Sequence, residues 1–125
     1  MINRLGQVML YVNDQDQSKE FWTKVIGFQV ISEVKNEQGM SWIEMAPTNE
    51  SETSIILHDK ETVAKMSPDL HLGTPSLMFF TENLEALHNK LSQSHITVGE
   101  IVTMPTGKVF NFADYEGNYF AVMEK

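Results

Sequence analysis

A chain of 125 residues fits one domain with a single core and needs no covalent staples. With no cysteine it has no disulfide, no thiolate metal site and no cysteine nucleophile. A formal charge of -8 argues against nucleic acid as a partner, because that partner requires clustered Lys and Arg.

The opening residues MINRLGQVML lack the charged start, apolar stretch and cleavage site of a signal peptide. No apolar run is long enough to span a bilayer, so no membrane partner is expected and the cytoplasm is the expected compartment. Residues 6–12 read as a strand buried on both faces. Asn13 and Asp14 then supply a helix N-cap, with Gln17 in capping-box position. Phe21, Trp22, Val25 and Ile26 form an apolar stripe that ends at Gly27. Strands are expected at 28–34, at 41–46 after a turn at 36–39, and at 53–58 after a polar loop. Residues 59–73 form a connector with room for a short helix at 62–66.

The same order then repeats. Residues 76–81 read as a strand, Asn83 or Thr81 caps a helix carrying Leu84, Leu87 and Leu91, and strands follow at 97–102, 108–113 and 118–124. Overlaying GQVMLYV on PSLMFFT pairs Gln7 with Ser76, Met9 with Met78 and Tyr11 with Phe80. Overlaying SIILH on YFAVM pairs Ile56 with Ala121 and His58 with Met123, and GMSW at 39–42 overlays GKVF at 107–110. The expectation is an α+β fold of two βαβββ modules related by internal duplication, with curved mixed sheets enclosing a shared cleft. One domain, 1–125, holds module one (1–59), a connector (60–73) and module two (74–125).

Strand parity assigns the faces. Val8, Leu10 and Val12 suit the helix side, leaving Gln7, Met9 and Tyr11 for the cleft. In the second module Leu77 and Phe79 go to the helix, leaving Ser76, Met78 and Phe80. Such a lining of Met, Tyr, Phe and a few polar groups suits a small molecule, although the same residue types also serve as filled core.

At this point the chain resembles the vicinal oxygen chelate family, which includes glyoxalase I, fosfomycin-resistance thiol transferases, extradiol dioxygenases and bleomycin-binding proteins. The resemblance spans essentially the whole chain. It is carried by the opening GQVMLYVNDQDQSKEFWTKVIGF, a strand, an Asp-containing turn and a helix ending in Gly-Phe, and by the closing FNFADYEGNYFAVME, an Asp-x-x-Gly hairpin. Metal-dependent members place ligands, usually His and Glu, on the first and last strands of each module. Those positions fall here on Gln7, Ile56, Ser76 and Ala121, of which Gln7 alone is a residue that some members use as a ligand. Ile and Ala offer no donor atom, so the inherited metal site is expected to be absent and no cofactor is expected. A replacement site built from Gln7, His58 and Glu44 or Glu124 is the alternative.

The histidines His58, His71, His88 and His95 form no metal-binding motif, and His88 reads as lying on an exposed helix face. There is no nucleophile elbow and no phosphate-cradling loop. For metal-free acid–base chemistry the candidates are His58, Tyr11 and Glu44. Asn111 sits between Phe110 and Phe112, where its amide would face the cleft with Met123. The expected function is small-molecule binding in the glyoxalase and bleomycin-resistance manner, with the chain paired as a homodimer. The alternatives are a lyase, isomerase or thiol transferase, and an accessory domain that contacts a protein.

Overall fold

Burial in β1 (Gln7–Val12) follows a two-residue rhythm, with Leu10 and Val12 buried and Gln7, Met9 and Tyr11 turned the other way. This strand was expected to be buried on both faces. It lies instead at the edge of a four-stranded sheet, with Gln7 and Met9 exposed. The computed structural model describes residues 1–125, which divide into two compact units, Met1–Thr74 and Pro75–Lys125.

In the first unit β1 is followed by α1 (Gln15–Glu20), which continues directly into π-helical turns over Phe21–Ile26. Then come β2 (Gln29–Lys35), β3 (Ser41–Ala46), β4 (Ser54–Asp59) and α2 (Lys60–Met66). The sheet order is β1-β4-β3-β2, parallel between β1 and β4 and antiparallel elsewhere. Phe21, Trp22 and Val25 fill the core with Leu10, Val12, Ile43, Met45, Ile55 and Leu57. The expected helix is therefore present, but its second half is wider than an α-helix. The Thr23 hydroxyl donates to the Lys19 carbonyl at 2.7 Å, a competing bond of the kind that loosens regular turns. Gly27, at φ 95°, ends the helix as expected.

Asp14 caps α1 by accepting from the Gln17 amide at 3.0 Å. Gln15, which no sequence pattern singles out, anchors the start of that helix to the sheet. Its amide donates to the carbonyls of Ser41 (2.9 Å) and Leu57 (3.0 Å), and its oxygen accepts from the Ser41 hydroxyl (2.7 Å). Asp59 likewise caps α2 through Thr62, and α2 packs against β1 and β4, so the helix of the connector belongs to the first unit.

The second unit contains β5 (Met78–Thr81), α3 (Leu84–Ser92), β6 (Val102–Met104), β7 (Gly107–Ala113) and β8 (Tyr119–Glu124). Its order, β5-β8-β7-β6, reproduces the first sheet strand for strand, again with the first and last strands parallel. Leu84, Leu91, Phe110, Phe112, Phe120 and Val122 are its buried core. Asn83, not Thr81, caps α3 by accepting from the Ala86 amide at 3.1 Å.

Two expectations change. The strand expected at 97–102 is broken. The Gly99 amide donates to Asn111 O (2.7 Å) and Thr97 O accepts from the Ala113 amide (2.9 Å), but Glu100 and Ile101 fall outside the ladder and regular pairing begins at Val102. The overlay of the third strands is also displaced by one residue. Trp42 faces His58 and Val109 faces Met123, so Trp42 corresponds to Val109 and Glu44 to Asn111. The GMSW and GKVF match missed this because Gly107 is inside β7 whereas Gly39 is in the turn before β3. The other paired positions agree with the registers, since Met9 faces Ile56 as Met78 faces Ala121, and Tyr11 faces His58 as Phe80 faces Met123.

The β7–β8 hairpin is held by Asp114, only 8% exposed. Its carboxylate accepts from the amides of Glu116 (2.9 Å) and Asn118 (2.8 Å) and from the Asn118 side chain (3.2 Å), and Gly117 takes the left-handed conformation at φ 81°. Replacing Asp114 with Ala removes the acceptor that these half-buried groups share. The expected loss is about 2 kcal/mol or more of unfolding free energy, measured by urea denaturation.

Candidate functional site

In each unit the helix covers one face of its sheet, and the opposite face carries the residues that strand parity had set aside. On the first sheet these form a grid. Tyr11, His58, Trp42 and Val34 lie side by side across the four strands, and Met9, Ile56, Glu44 and Ser32 form the next row. Gln7 pairs with Ser54 in the row beyond. Gln7, Met9, Met40, Trp42, Glu44, Ile56 and His58 line a concavity of about 280 Å3.

Its polar groups are held in place. One Glu44 carboxylate oxygen accepts from the Ser54 hydroxyl at 2.6 Å and the other accepts from Ser32 at 3.3 Å. The His58 ring stacks on Tyr11, with centroids 5.7 Å apart and planes 21° from parallel, and its Nε2 lies 3.2 Å from Met9 Sδ. Nδ1 of the same ring is buried without a hydrogen-bond partner. Burial, which penalises the charged form, holds the His58 imidazole below the ordinary histidine value of 6.5.

The second sheet presents a more apolar face. Met78 sits beside Ala121 and Asn111, and Phe80 beside Met123 and Val109. Phe80 is 64% exposed, and Lys125 Nζ lies 5.3 Å from its ring centre. Ser76 precedes β5, which begins at Met78, but it lines a concavity of about 270 Å3 with Asn111, Tyr119 and Ala121.

The predicted site residues thus fall into two groups. Gln7, Met9, Tyr11, Glu44, Ile56 and His58 share the open face of the first sheet. Ser76, Met78, Phe80, Asn111, Ala121 and Met123 share that of the second. Trp42, Met40 and the two serines that hold Glu44 were not foreseen. Trp42 is two residues from Glu44 on one strand, a spacing that places both on one face once the register is right. Glu124 turns away, since its carboxylate accepts from the Leu84 amide at 2.9 Å and so serves the start of α3. His88 is half-buried and not on a free helix surface, bonded through Nε2 to Gly99 O at 2.9 Å and packed edge-on against Phe110.

The four metal-ligand positions do not make a donor set. Ile56 lies between Met9 and Glu44 and has no donor, and Ala121 has none. No group of three or more His, Asp or Glu side chains is arranged to hold a metal ion. No helix is long and apolar enough to cross a membrane.

Comparison with known proteins places this geometry in context. Residues 4–122 match the Glyoxalase/Bleomycin resistance protein/Dioxygenase superfamily. The chain is 30% identical to the uncharacterized protein YetH of Bacillus subtilis (strain 168), covering 99% of this chain and 100% of that protein. Among solved structures it resembles UcmS2, at 30% identity and a TM-score of 0.79 with 98% of each chain covered. It also shares its fold with TnmS3, an antibiotic binding protein from Streptomyces sp. CB03234. There the identity is 23% and the TM-score 0.83, over 98% of this chain and 96% of that one.

The position of His58 has a consequence for pH dependence. Because its folded-state value lies below that of the unfolded chain, the unfolded state binds the extra proton first as pH falls. Stability tied to His58 is full above the ordinary value of 6.5 and declines as pH drops through it toward the lowered value. In urea denaturation across this range, His58→Gln should flatten the acid-side decline, and NMR should show the His58 ring titrating below the ordinary value of 6.5.

Proposed function

Since the chain belongs to the Glyoxalase/Bleomycin resistance protein/Dioxygenase superfamily, we propose that it is a small-molecule binding protein that works without the metal site of that family. The observation that carries this proposal is the concavity on the first sheet, where Met9, Met40, Trp42 and Ile56 supply apolar and aromatic surface and Gln7, Glu44 and His58 supply a few fixed polar groups. The absence of donors at Ile56 and Ala121 supports the metal-free part, and the antibiotic binding of TnmS3 gives a precedent for binding on this fold. Ligand contacts are assigned to Gln7, Met9, Tyr11, Ile56 and His58 on one sheet and to Ser76, Met78, Phe80, Asn111, Ala121 and Met123 on the other.

A second function is tied to one observation, the unpartnered Nδ1 of a His58 held largely neutral near pH 7, as a general base must be. A mass-spectrometric inventory of molecules retained after gentle purification identifies the ligand, and titration and turnover on variants then separate the two functions. For a binding protein, Tyr11→Ala or Phe80→Ala weakens the ligand by about 1–3 kcal/mol, and His58→Gln by about 1 kcal/mol. An enzyme working through His58 keeps its affinity in His58→Gln but loses turnover by roughly 10²-fold or more, an outcome that overthrows the binding proposal.

A further inference from the structure

The open face of the first sheet holds one acidic side chain among its lining residues, and that side chain is fixed. Glu44 projects from β3 between Ile56 and Ser32, with Trp42 two residues away on the same strand face and Met9 and Met40 completing the wall. Ser54 and Ser32 each donate a hydroxyl to a different carboxylate oxygen, which orients the group yet leaves each oxygen able to accept again. No Lys or Arg lines this concavity. His58, its other titratable group, is held toward the neutral form by burial. Arg4 and Glu52 line the adjoining cavity of about 430 Å3 with Glu44, but Arg4 forms no ion pair with either.

A carboxylate beside an indole ring and two thioethers matches a cation carried on an apolar body. The carboxylate supplies a charge-assisted hydrogen bond, the ring face attracts the cation, and the soft walls take the hydrocarbon. We propose that the concavity formed by Glu44, Trp42, Met9, Met40 and Ile56 selects ligands bearing an alkyl- or aryl-ammonium group, with the ammonium on Glu44. This inference rests on the binding function above and specifies its ligand class. The charge of -8 favours the approach of cations over anions to the whole chain, but Glu44 alone determines where the ammonium is seated.

Three matched probes test it on the full chain: 2-phenylethylamine, 2-phenylethanol and 3-phenylpropionate, titrated while the NMR signals of the Trp42 indole and the His58 ring are followed. The amine should bind about tenfold tighter than the alcohol, and the carboxylate weakest. Glu44→Gln, which keeps an acceptor for one serine hydroxyl and turns its amide nitrogen to the other, should weaken the amine more than the alcohol and bring the two to a similar level. On the unmodified protein, added salt should weaken the amine and not the alcohol, a readout independent of any variant's folding. If the alcohol or carboxylate binds as tightly as the amine while shifting Trp42, the cation preference falls and the binding function stands. If no probe moves Trp42 or His58, the ammonium site falls, and the binding function is decided by the retained-ligand inventory.

Discussion

Each unit depends on the parallel bonding of its first strand to its last. Parallel neighbours need a long crossover, and the chain supplies one by running through a helix and two further strands before β4 returns beside β1, and β8 beside β5. The helix at the start of that path packs on one face of the sheet and buries Leu10, Val12, Ile55 and Leu57 in the first unit, and Phe110, Phe112, Phe120 and Val122 in the second. Alternate residues of the strands point away from that helix and are left for another purpose.

That purpose differs between the two copies. Register equates Met9 with Met78, Tyr11 with Phe80, His58 with Met123, Ile56 with Ala121 and Glu44 with Asn111. At three of the five pairs the first sheet carries the more polar or ionisable group. The helix-side positions stay apolar in both copies although their sizes differ, Ile43 against Phe110, Met45 against Phe112 and Ile55 against Phe120, while the open-face positions, which need not be buried, differ in chemistry. The first face acquired an anchored carboxylate and a shielded imidazole, the second a largely apolar surface with Phe80 under Lys125.

Much of this was legible in the chain. The order of elements along the chain, the caps at Asp14 and Asn83 and the Gly27 terminus follow from local rules, and the overlay of first and last strands survives in the observed registers. What failed did so for identifiable reasons. An edge strand and a doubly buried strand have similar composition when the open face carries Met and Tyr, so β1 was misjudged. Two glycines anchored the overlay of the third strands although they occupy different structural positions, and the one-residue error separated Glu44 from its counterpart Asn111. Gln15, Ser54 and Ser32 carry no sequence signal because their partners lie 10 to 42 residues away. Long-range polar pairing of this kind is set by tertiary register, which no local pattern encodes.

Ile56 explains why the first face favours burial over coordination. It sits on an inner strand, flanked by Met9 and Glu44 across the sheet and by Ser54 and His58 along its own strand on the same face, and it is only 3% exposed. A carboxylate at that point would gather ligand oxygens around a central ion. An isoleucine there repels polar atoms from the centre and moves every hydrogen-bonding contact to the rim, where Gln7, Glu44 and His58 stand. A ligand bound as proposed would be apolar in its middle and polar at its margin, the reverse of what a chelating site demands. The serine hydroxyls fit the same placement, since a carboxylate beside an apolar centre is stabilised by the donors that Ser54 and Ser32 supply.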